Sequence, residues 1–520
     1  MCQFSVARQA GSTRGPYSLS RRGGAIKCLS RCVCVVLALV GMASADSPRN
    51  AVVKITVTHR RPNTLQPWTK LAPSKASGTG VIIDGNRVLT NAHVVQYGSQ
   101  IYVQPYQSTE KLAASVQTIA SDVDLALLTV DDPSLFEDRA PLAISSSMAR
   151  VKDKVNVYGY PIGGSDLSVT EGIVSRVEYA KLYQDGAGIR IQVDAALNQG
   201  NSGGPALSQD EIIGLVFSGI PSAENTGYLI SSGEIQMFLD DIKDGQYDGK
   251  PKLFGQYQST ENGALREWLR LPSDQSGVLV QQLDWFSEPT PLKPGDVITA
   301  IDGMNVDDLG DVRMDESLRL SFQYWIPKSV EQSQIALTIW RDGKSENIDT
   351  PVLLRRNRLI PPLRGAYPRY FIYGPLVLSV ASQEYIGQLM SSRSGLGILM
   401  GGGSPLLSRL RDKPDIPGEE LVVVPSGLLP HKVAKGYQVP PAGVVTHING
   451  QPVVNLRQLA EVLSEMDDPF VRFEFAGRYE TLVFKRDEIE ASTDEILTEG
   501  GIRHECSADL RDIWPPRDAD

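Results

Sequence analysis

Two apolar, strand-like runs at 189–193 and 212–217 bracket a turn reading Asn198-Gln199-Gly200-Asn201-Ser202-Gly203-Gly204-Pro205. No other stretch limits the fold so tightly. Three glycines around one serine permit a backbone path closed to most residues and let another main chain approach closely. The N–H groups of Gly200 and Ser202 can then aim at one point, where they would hold an oxyanion. The serine hydroxyl is placed as an acyl-transfer nucleophile. Taken alone, the octapeptide equally describes a Gly-Ser surface turn, so the chemistry depends on a base and an orienting carboxylate upstream.

Short β-rich runs recur upstream at 52–58, 81–83, 100–103, 125–130, 154–160 and 172–177, separated by Gly, Pro and Asp turns. Many short strands at even spacing predict a mainly β fold, a barrel or sandwich. His93, one of five histidines, follows a strand in Leu89-Thr90-Asn91-Ala92-His93. Asp124 opens the apolar run Asp124-Leu125-Ala126-Leu127-Leu128, with Asp122 just before it. A lone histidine is commonly structural, and an acid at a strand start is commonly solvated. Histidine, aspartate and serine in this order, each at a strand end, point instead to one constellation. A serine hydroxyl needs a base to take its proton, and a carboxylate fixes the imidazole tautomer and steadies the imidazolium.

Thr90-Asn91-Ala92-His93, Asp124-Leu125-Ala126-Leu127-Leu128 and Gly200-Asn201-Ser202-Gly203-Gly204-Pro205 resemble the three motifs of the Deg/HtrA family of serine proteases. The resemblance implies a chymotrypsin-like double β-barrel at 46–250 with its site in the cleft between barrels. It implies a triad of His93, Asp124 and Ser202, with Asp122 as the alternative acid, and an oxyanion hole at Gly200 and Ser202. Ala196, Leu197 and Asn198 would line the primary pocket. No acid lies there, which predicts a preference for small or medium aliphatic residues before the scissile bond. The run 213–218, ending at Ser218, resembles the strand that pairs with extended substrate. The segment 60–77, which carries a long regulatory loop in some relatives, is short. No metal or organic cofactor is implied.

Further on, Leu292-Lys293-Pro294-Gly295-Asp296-Val297-Ile298-Thr299-Ala300-Ile301-Asp302-Gly303 reads as a turn, a buried strand and an Asp-Gly hairpin. It resembles the signature of a PDZ domain, here 251–355. The resemblance implies capture of C-terminal peptides, with Phe254, Gly255 and Gln256 in the loop that receives the carboxylate. Val444-Val445-Thr446-His447-Ile448-Asn449-Gly450 repeats the device, and Leu456, Leu459, Val462 and Leu463 follow on one helical face. This resembles a second, divergent PDZ domain at 370–487. Its loop, Tyr373-Gly374-Pro375-Leu376, contains a proline without an N–H, so no terminus is expected to bind there. A basic, Pro-rich link at 356–369 predicts a hinge, and 488–520 form a C-terminal extension whose polar tail beyond Ser507 is expected to be loose.

A chain of 520 residues needs several cores. The first 45 residues hold six basic and no acidic side chains, then an apolar run at 32–43 and Ala43-Ser44-Ala45, the parts of a secretory signal. Export is expected, most simply to a periplasm; an organelle transit peptide or an uncleaved anchor is the alternative. Without the leader, 45 basic residues face 61 acidic ones, for a net charge of −16, and one cysteine, Cys506, remains. That charge argues against a nucleic-acid surface, and a single cysteine forms no internal disulfide. The family resemblance implies an ATP-independent serine endopeptidase acting on unfolded polypeptides under PDZ control and assembling into trimers or their multiples. The alternative is a chaperone or peptide-binding scaffold whose protease domain is mostly inactive.

Overall fold

The computed structural model describes residues 47–515 apart from 165, 183–185, 220–226, 284–289, 317, 402, 439–441 and 478–480. The leader and the last five residues lie outside the described residues. Strands β1 (Val52–His59), β2 (Ser74–Ile83), β3 (Arg87–Thr90), β4 (Gly98–Gln104), β5 (Leu112–Ala120) and β6 (Leu125–Val130) close into a barrel ordered β1-β2-β3-β6-β5-β4. Alternation drives it: in β1 Val53, Ile55 and Val57 point inward while Lys54, Thr56 and Thr58 stay half-buried. Strand β5 carries no continuous apolar run, because only Leu112 and Ala120 at its ends are fully buried.

A second closed barrel follows, ordered β10-β11-β12-β9-β8-β7. Its strands are β7 (Lys154–Gly159), β8 (Ser168–Lys181), β9 (Ala187–Val193), β10 (Pro205–Ser208), β11 (Glu211–Gly219) and β12 (Gly227–Ser231). One apolar cluster belongs to both barrels, joining Val81, Leu89, Leu125 and Leu127 to Leu207, Leu215 and Ile230, with Ile235 and Phe238 of the helix Ser232–Asp241. Each fully buried aliphatic side chain contributes about 1.5–3 kcal/mol, so the shared cluster fixes one barrel against the other. Beneath it Glu234, buried, pairs with Lys250 at 2.5 Å and accepts from the Ile189 N–H at 2.9 Å.

A third sheet, β13 (Gln256–Ser259), β14 (Val278–Gln282), β15 (Val297–Ile301), β19 (Gln334–Arg341) and β20 (Lys344–Pro351), has β13 at its edge, and β16 (Met304–Asn305) forms the expected Asp302-Gly303 hairpin with β15. A hairpin of β17 (Asp311–Arg313) and β18 (Arg319–Ser321) leaves this sheet, and its Leu320, with Tyr324 beyond, enters the core of the second barrel. Two short helical segments, Phe322–Tyr324 and Ile326–Ser329, stand between β18 and β19.

The last sheet runs β21 (Tyr370–Tyr373), β22 (Leu376–Val380), β23 (Val422–Val424), β24 (Gly443–Ile448), β26 (Phe470–Phe475) and β27 (Leu482–Lys485), with β25 (Gln451–Pro452) on β24. The helix Leu456–Glu465 buries Leu456, Leu459 and Leu463, as its spacing predicts. Two expectations fail here. The described tail beyond Ser507, expected to be loose, packs into the same core as Ile489 and Cys506: Leu510 is buried and Trp514 meets the Phe371 ring at 5.0 Å, while just before it the Ile372 N–H donates to the Glu505 carbonyl at 2.9 Å. The expected hinge is also docked, with Leu359 and Ile360 buried beside Leu421 and Val423.

Candidate active site

The histidine sits on a single helical turn, Ala92–Val95, begun by Asn91. The turn is pinned to Asp124 four times. Asn91 Nδ2 and the Ala92 N–H donate to the Asp124 carbonyl at 3.0 and 3.2 Å, the His93 N–H to Oδ1 at 2.8 Å, and His93 Nδ1 meets Oδ2 at 2.6 Å. Asp124 reaches this position through a left-handed backbone, φ 58°, which aspartate tolerates better than most side chains. Its carboxylate is fully buried; burial pushes its pKa up and the hydrogen bonds from His93 oppose the shift without cancelling it. With Nδ1–H committed to Asp124, Nε2 is the acceptor nitrogen. Asp122 is engaged elsewhere, by the Tyr247 hydroxyl at 2.8 Å and by Lys252 Nζ at 3.8 Å.

The turn that carries Ser202 hangs between the barrels. From the first barrel, the Thr79 N–H donates to the Ser202 carbonyl at 2.9 Å and Thr79 Oγ1 to the Gly200 carbonyl at 2.8 Å. That hydroxyl also accepts from the Tyr160 N–H at 2.9 Å, while Thr90 Oγ1 donates to the Thr79 carbonyl at 2.7 Å. From the second barrel, the Gly203 N–H donates to Val216 at 2.9 Å and the Val216 N–H to Gly204 at 2.8 Å. Gly203 (φ 83°) has no room for a side chain, because a Cβ would stand 2.2 Å from the Thr79 carbonyl oxygen. Gly78 completes the join: a Cβ there would meet Val94 at 2.6 Å and the Ser202 carbonyl at 3.3 Å. The histidine turn and the serine turn therefore touch the same residue.

The Ser202 hydroxyl donates to the Phe217 carbonyl at 3.5 Å. The Gln199 carbonyl accepts from the Ile162 N–H at 2.7 Å. In a planar trans peptide the Gly200 N–H points the opposite way, away from that contact. Of the expected pocket residues, Ala196 and Asn198 are exposed, with their carbonyls bound by Thr170 Oγ1 at 3.2 Å and by the Asn201 N–H at 3.1 Å. Leu197 is half-buried and presses on Gly227, where a Cβ would stand 2.2 Å from its Cδ1. Ser218 lies on β11 opposite Tyr228 of β12.

Phe254 and Gly255 lead into the third sheet, which begins at Gln256, outside both barrels. Phe254 is buried with the Arg356 guanidinium 4.9 Å above its ring, and Gln256 begins the edge strand β13. The corresponding turn of the last sheet is closed. The Gly374 N–H donates to Thr493 Oγ1 at 2.9 Å, and Tyr373 and Leu376 are buried. Thr79 and Thr90 escaped the sequence reading. Thr90 lies inside the histidine motif and Thr79 inside Gly78-Thr79-Gly80, so their spacing was visible while their partners were not.

A family model for a trypsin-like peptidase domain matches residues 78–215, and one for a PDZ domain matches 362–509, the last sheet with its C-terminal segment. Protease Do-like 2, chloroplastic, of Arabidopsis thaliana is 35% identical over 469 residues, covering 89% of this chain and 75% of its own. The chain belongs to the Deg/HtrA, or Do-like, serine proteases. Protease Do-like 4, mitochondrial, of the same plant is 31% identical over 82% of this chain and 78% of its own. The solved HtrA-type protease AlgW with tripeptide is 24% identical, with a TM-score of 0.47 over 59% of this chain and 94% of that one. As a Do-like protease the chain is a serine endopeptidase of protein quality control carrying a PDZ domain.

Proposed function

We propose that His93, Asp124 and Ser202 are the triad of this protease and that it cleaves unfolded or extended polypeptides through an acyl-enzyme. The supporting observation is the 2.6 Å contact of His93 Nδ1 with a carboxylate that has no solvent exposure. Deprotonation requires the Ser202 hydroxyl to turn from the Phe217 carbonyl to His93 Nε2. The proton moves to Nε2 as Oγ bonds the scissile carbonyl carbon, and the N–H groups of Gly200 and Ser202 hold the oxyanion. His93 returns the proton to the leaving amine, and water repeats the sequence to free the acid. Asp124 keeps the imidazole in the tautomer that accepts.

Substrate lies along β11 past Val216, its side chain before the scissile bond entering a pocket shaped by Ala196, Leu197 and Asn198. Leu197 on Gly227 makes that pocket shallow and apolar, which suits small or medium aliphatic residues. The third sheet acts as a first PDZ domain, taking C-terminal peptides beside β13 through Phe254, Gly255 and Gln256. The second PDZ domain takes none, because its loop is spent on Thr493. The leader directs the chain to an organelle, a reading favoured over the periplasm by the chloroplastic and mitochondrial names of the relatives. Assembly into trimers or their multiples, implied by the family, is read by light scattering.

The test is Ser202→Ala in the full chain with casein as substrate. Turnover falls by about 10⁶-fold if the triad operates; digestion at the wild-type rate overturns the assignment.

A further inference from the structure

The helical turn that carries His93 is held at its far end by a residue from outside the barrels. Gln96 caps the turn through its N–H to Ala92 at 2.7 Å, and its carbonyl meets buried His59 Nδ1 at 2.9 Å. The next residue, Tyr97, has a left-handed backbone, φ 62°. For an aromatic residue that conformation is strained and persists only where surrounding contacts enforce it. Those contacts come from two sides. The Arg60 N–H donates to the Tyr97 carbonyl at 2.8 Å, and the Tyr97 hydroxyl donates to the Ala366 carbonyl at 3.3 Å.

Tyr367 ties the two sides together. Its ring lies 5.7 Å from that of Tyr97, its hydroxyl donates to the Arg60 carbonyl at 2.9 Å, and Lys70 Nζ stands 4.2 Å above its ring. Gly365 lies against the Gln96 side chain, 3.4 Å from Nε2 to a Cβ built there. The short loop between β1 and β2 continues the contact away from the site. Thr64 donates to Gln388, Leu65 joins the cluster of Leu359 and Ile360, and Trp68 packs with Tyr370 and Ile502. The segment leading into the second PDZ domain is thereby fastened to both ends of the strained residue behind His93.

We propose that Tyr367 is a positioning residue for His93: it holds Tyr97 in its left-handed conformation and so fixes the helical turn from which the imidazole projects. Loss of its ring lets Tyr97 relax to negative φ and moves the C-terminal end of the turn, displacing Nε2 from the nucleophile. A docked C-terminal domain thus sustains catalysis without touching substrate. The inference rests on His93 as the general base.

The experiment uses the full chain and a short chromogenic peptide that fits the catalytic groove alone, with Tyr367→Ala, Tyr367→Phe and His93→Ala. A displacement of about 1 Å costs up to roughly 10²-fold in rate, so Tyr367→Ala is expected to lower kcat by roughly 10- to 100-fold. KM and the melting temperature are expected to stay near wild type. Tyr367→Phe, which keeps the ring, restores most of kcat, a recovery that a role of the hydroxyl alone would not give. Wild-type kcat in Tyr367→Ala, or a change confined to KM, overturns the proposal. Should Tyr367→Ala not fold, Tyr367→Leu is read by the same criteria. Full activity in His93→Ala would instead remove the assignment of the base and leave the Tyr367 result to be read as a structural effect.

Discussion

At the scale of single residues, the polar groups proposed to do the chemistry were legible and the ones that hold them were not. His93, Asp124 and Ser202 stand out because they are the three side-chain types the chemistry needs, each at a strand end within a motif of the family. The proposed choice of Asp124 over Asp122 follows from contacts that no sequence pattern shows: one carboxylate faces His93 and the other faces Tyr247. Thr79 shows the opposite case. A threonine between two glycines in a strand is unremarkable in sequence, yet its N–H and hydroxyl bind Ser202 and Gly200 and its carbonyl binds Thr90. Thr79→Val removes the hydroxyl at nearly constant volume and leaves the buried Gly200 carbonyl and Tyr160 N–H without it. Each unsatisfied group costs about 1–3 kcal/mol. If that strain falls on the oxyanion turn, kcat drops by about tenfold for each 1.4 kcal/mol. Steady-state assays on a short peptide check it: kcat is expected to fall with KM little changed.

At the scale of elements, visibility followed how much of a buried face was apolar. The helix Leu456–Glu465 was found because Leu456, Leu459 and Leu463 repeat at helical spacing. The helix Arg486–Glu499 was missed because its buried face is Ile489, Ser492, Thr493 and Ile496. Two small polar residues break the apolar pattern, and both are satisfied internally, each hydroxyl donating to the Ile489 carbonyl. Strand β5 was hidden for a related reason, since its central residues are half-buried or exposed. The helix and the segment after it are nonetheless part of the PDZ core. Truncation after residue 487 removes Ile489, Ile496, Cys506 and Leu510 and uncovers Phe371 and Tyr373. At about 1.5–3 kcal/mol for each large buried apolar side chain, this is comparable to the whole stability of an ordinary domain. Limited proteolysis is expected to degrade 370–487 in the truncated chain while leaving the barrels intact. A protease-resistant fragment spanning those residues would contradict it.

At the scale of the whole molecule, the barrels, the third sheet and the PDZ domain are joined by packing rather than strung on flexible links. Leu320 and Tyr324 anchor the third sheet in the second barrel, and Leu359 and Ile360 dock the expected hinge. Such contacts are long-range, so no local pattern announces them. Charge also works at this scale. Burial raises the Glu419 carboxyl, but hydrogen bonds from Arg409 and the Asp415 N–H outweigh it and leave its pKa below 4.5. A lowered carboxyl stabilises the fold above its unfolded pKa and loses that contribution as pH falls through the folded one. The stability gap between wild type and Arg409→Met is therefore expected to be full at pH 7 and to close below about pH 4.5, as read by urea unfolding. The central claim, that His93 activates Ser202 in the groove between the barrels, is tested most directly by a fluorophosphonate probe followed by peptide mapping. The account predicts label on Ser202 alone, lost in His93→Ala and in Ser202→Ala; label on another serine, or undiminished labelling of Ser202 in His93→Ala, would contradict it.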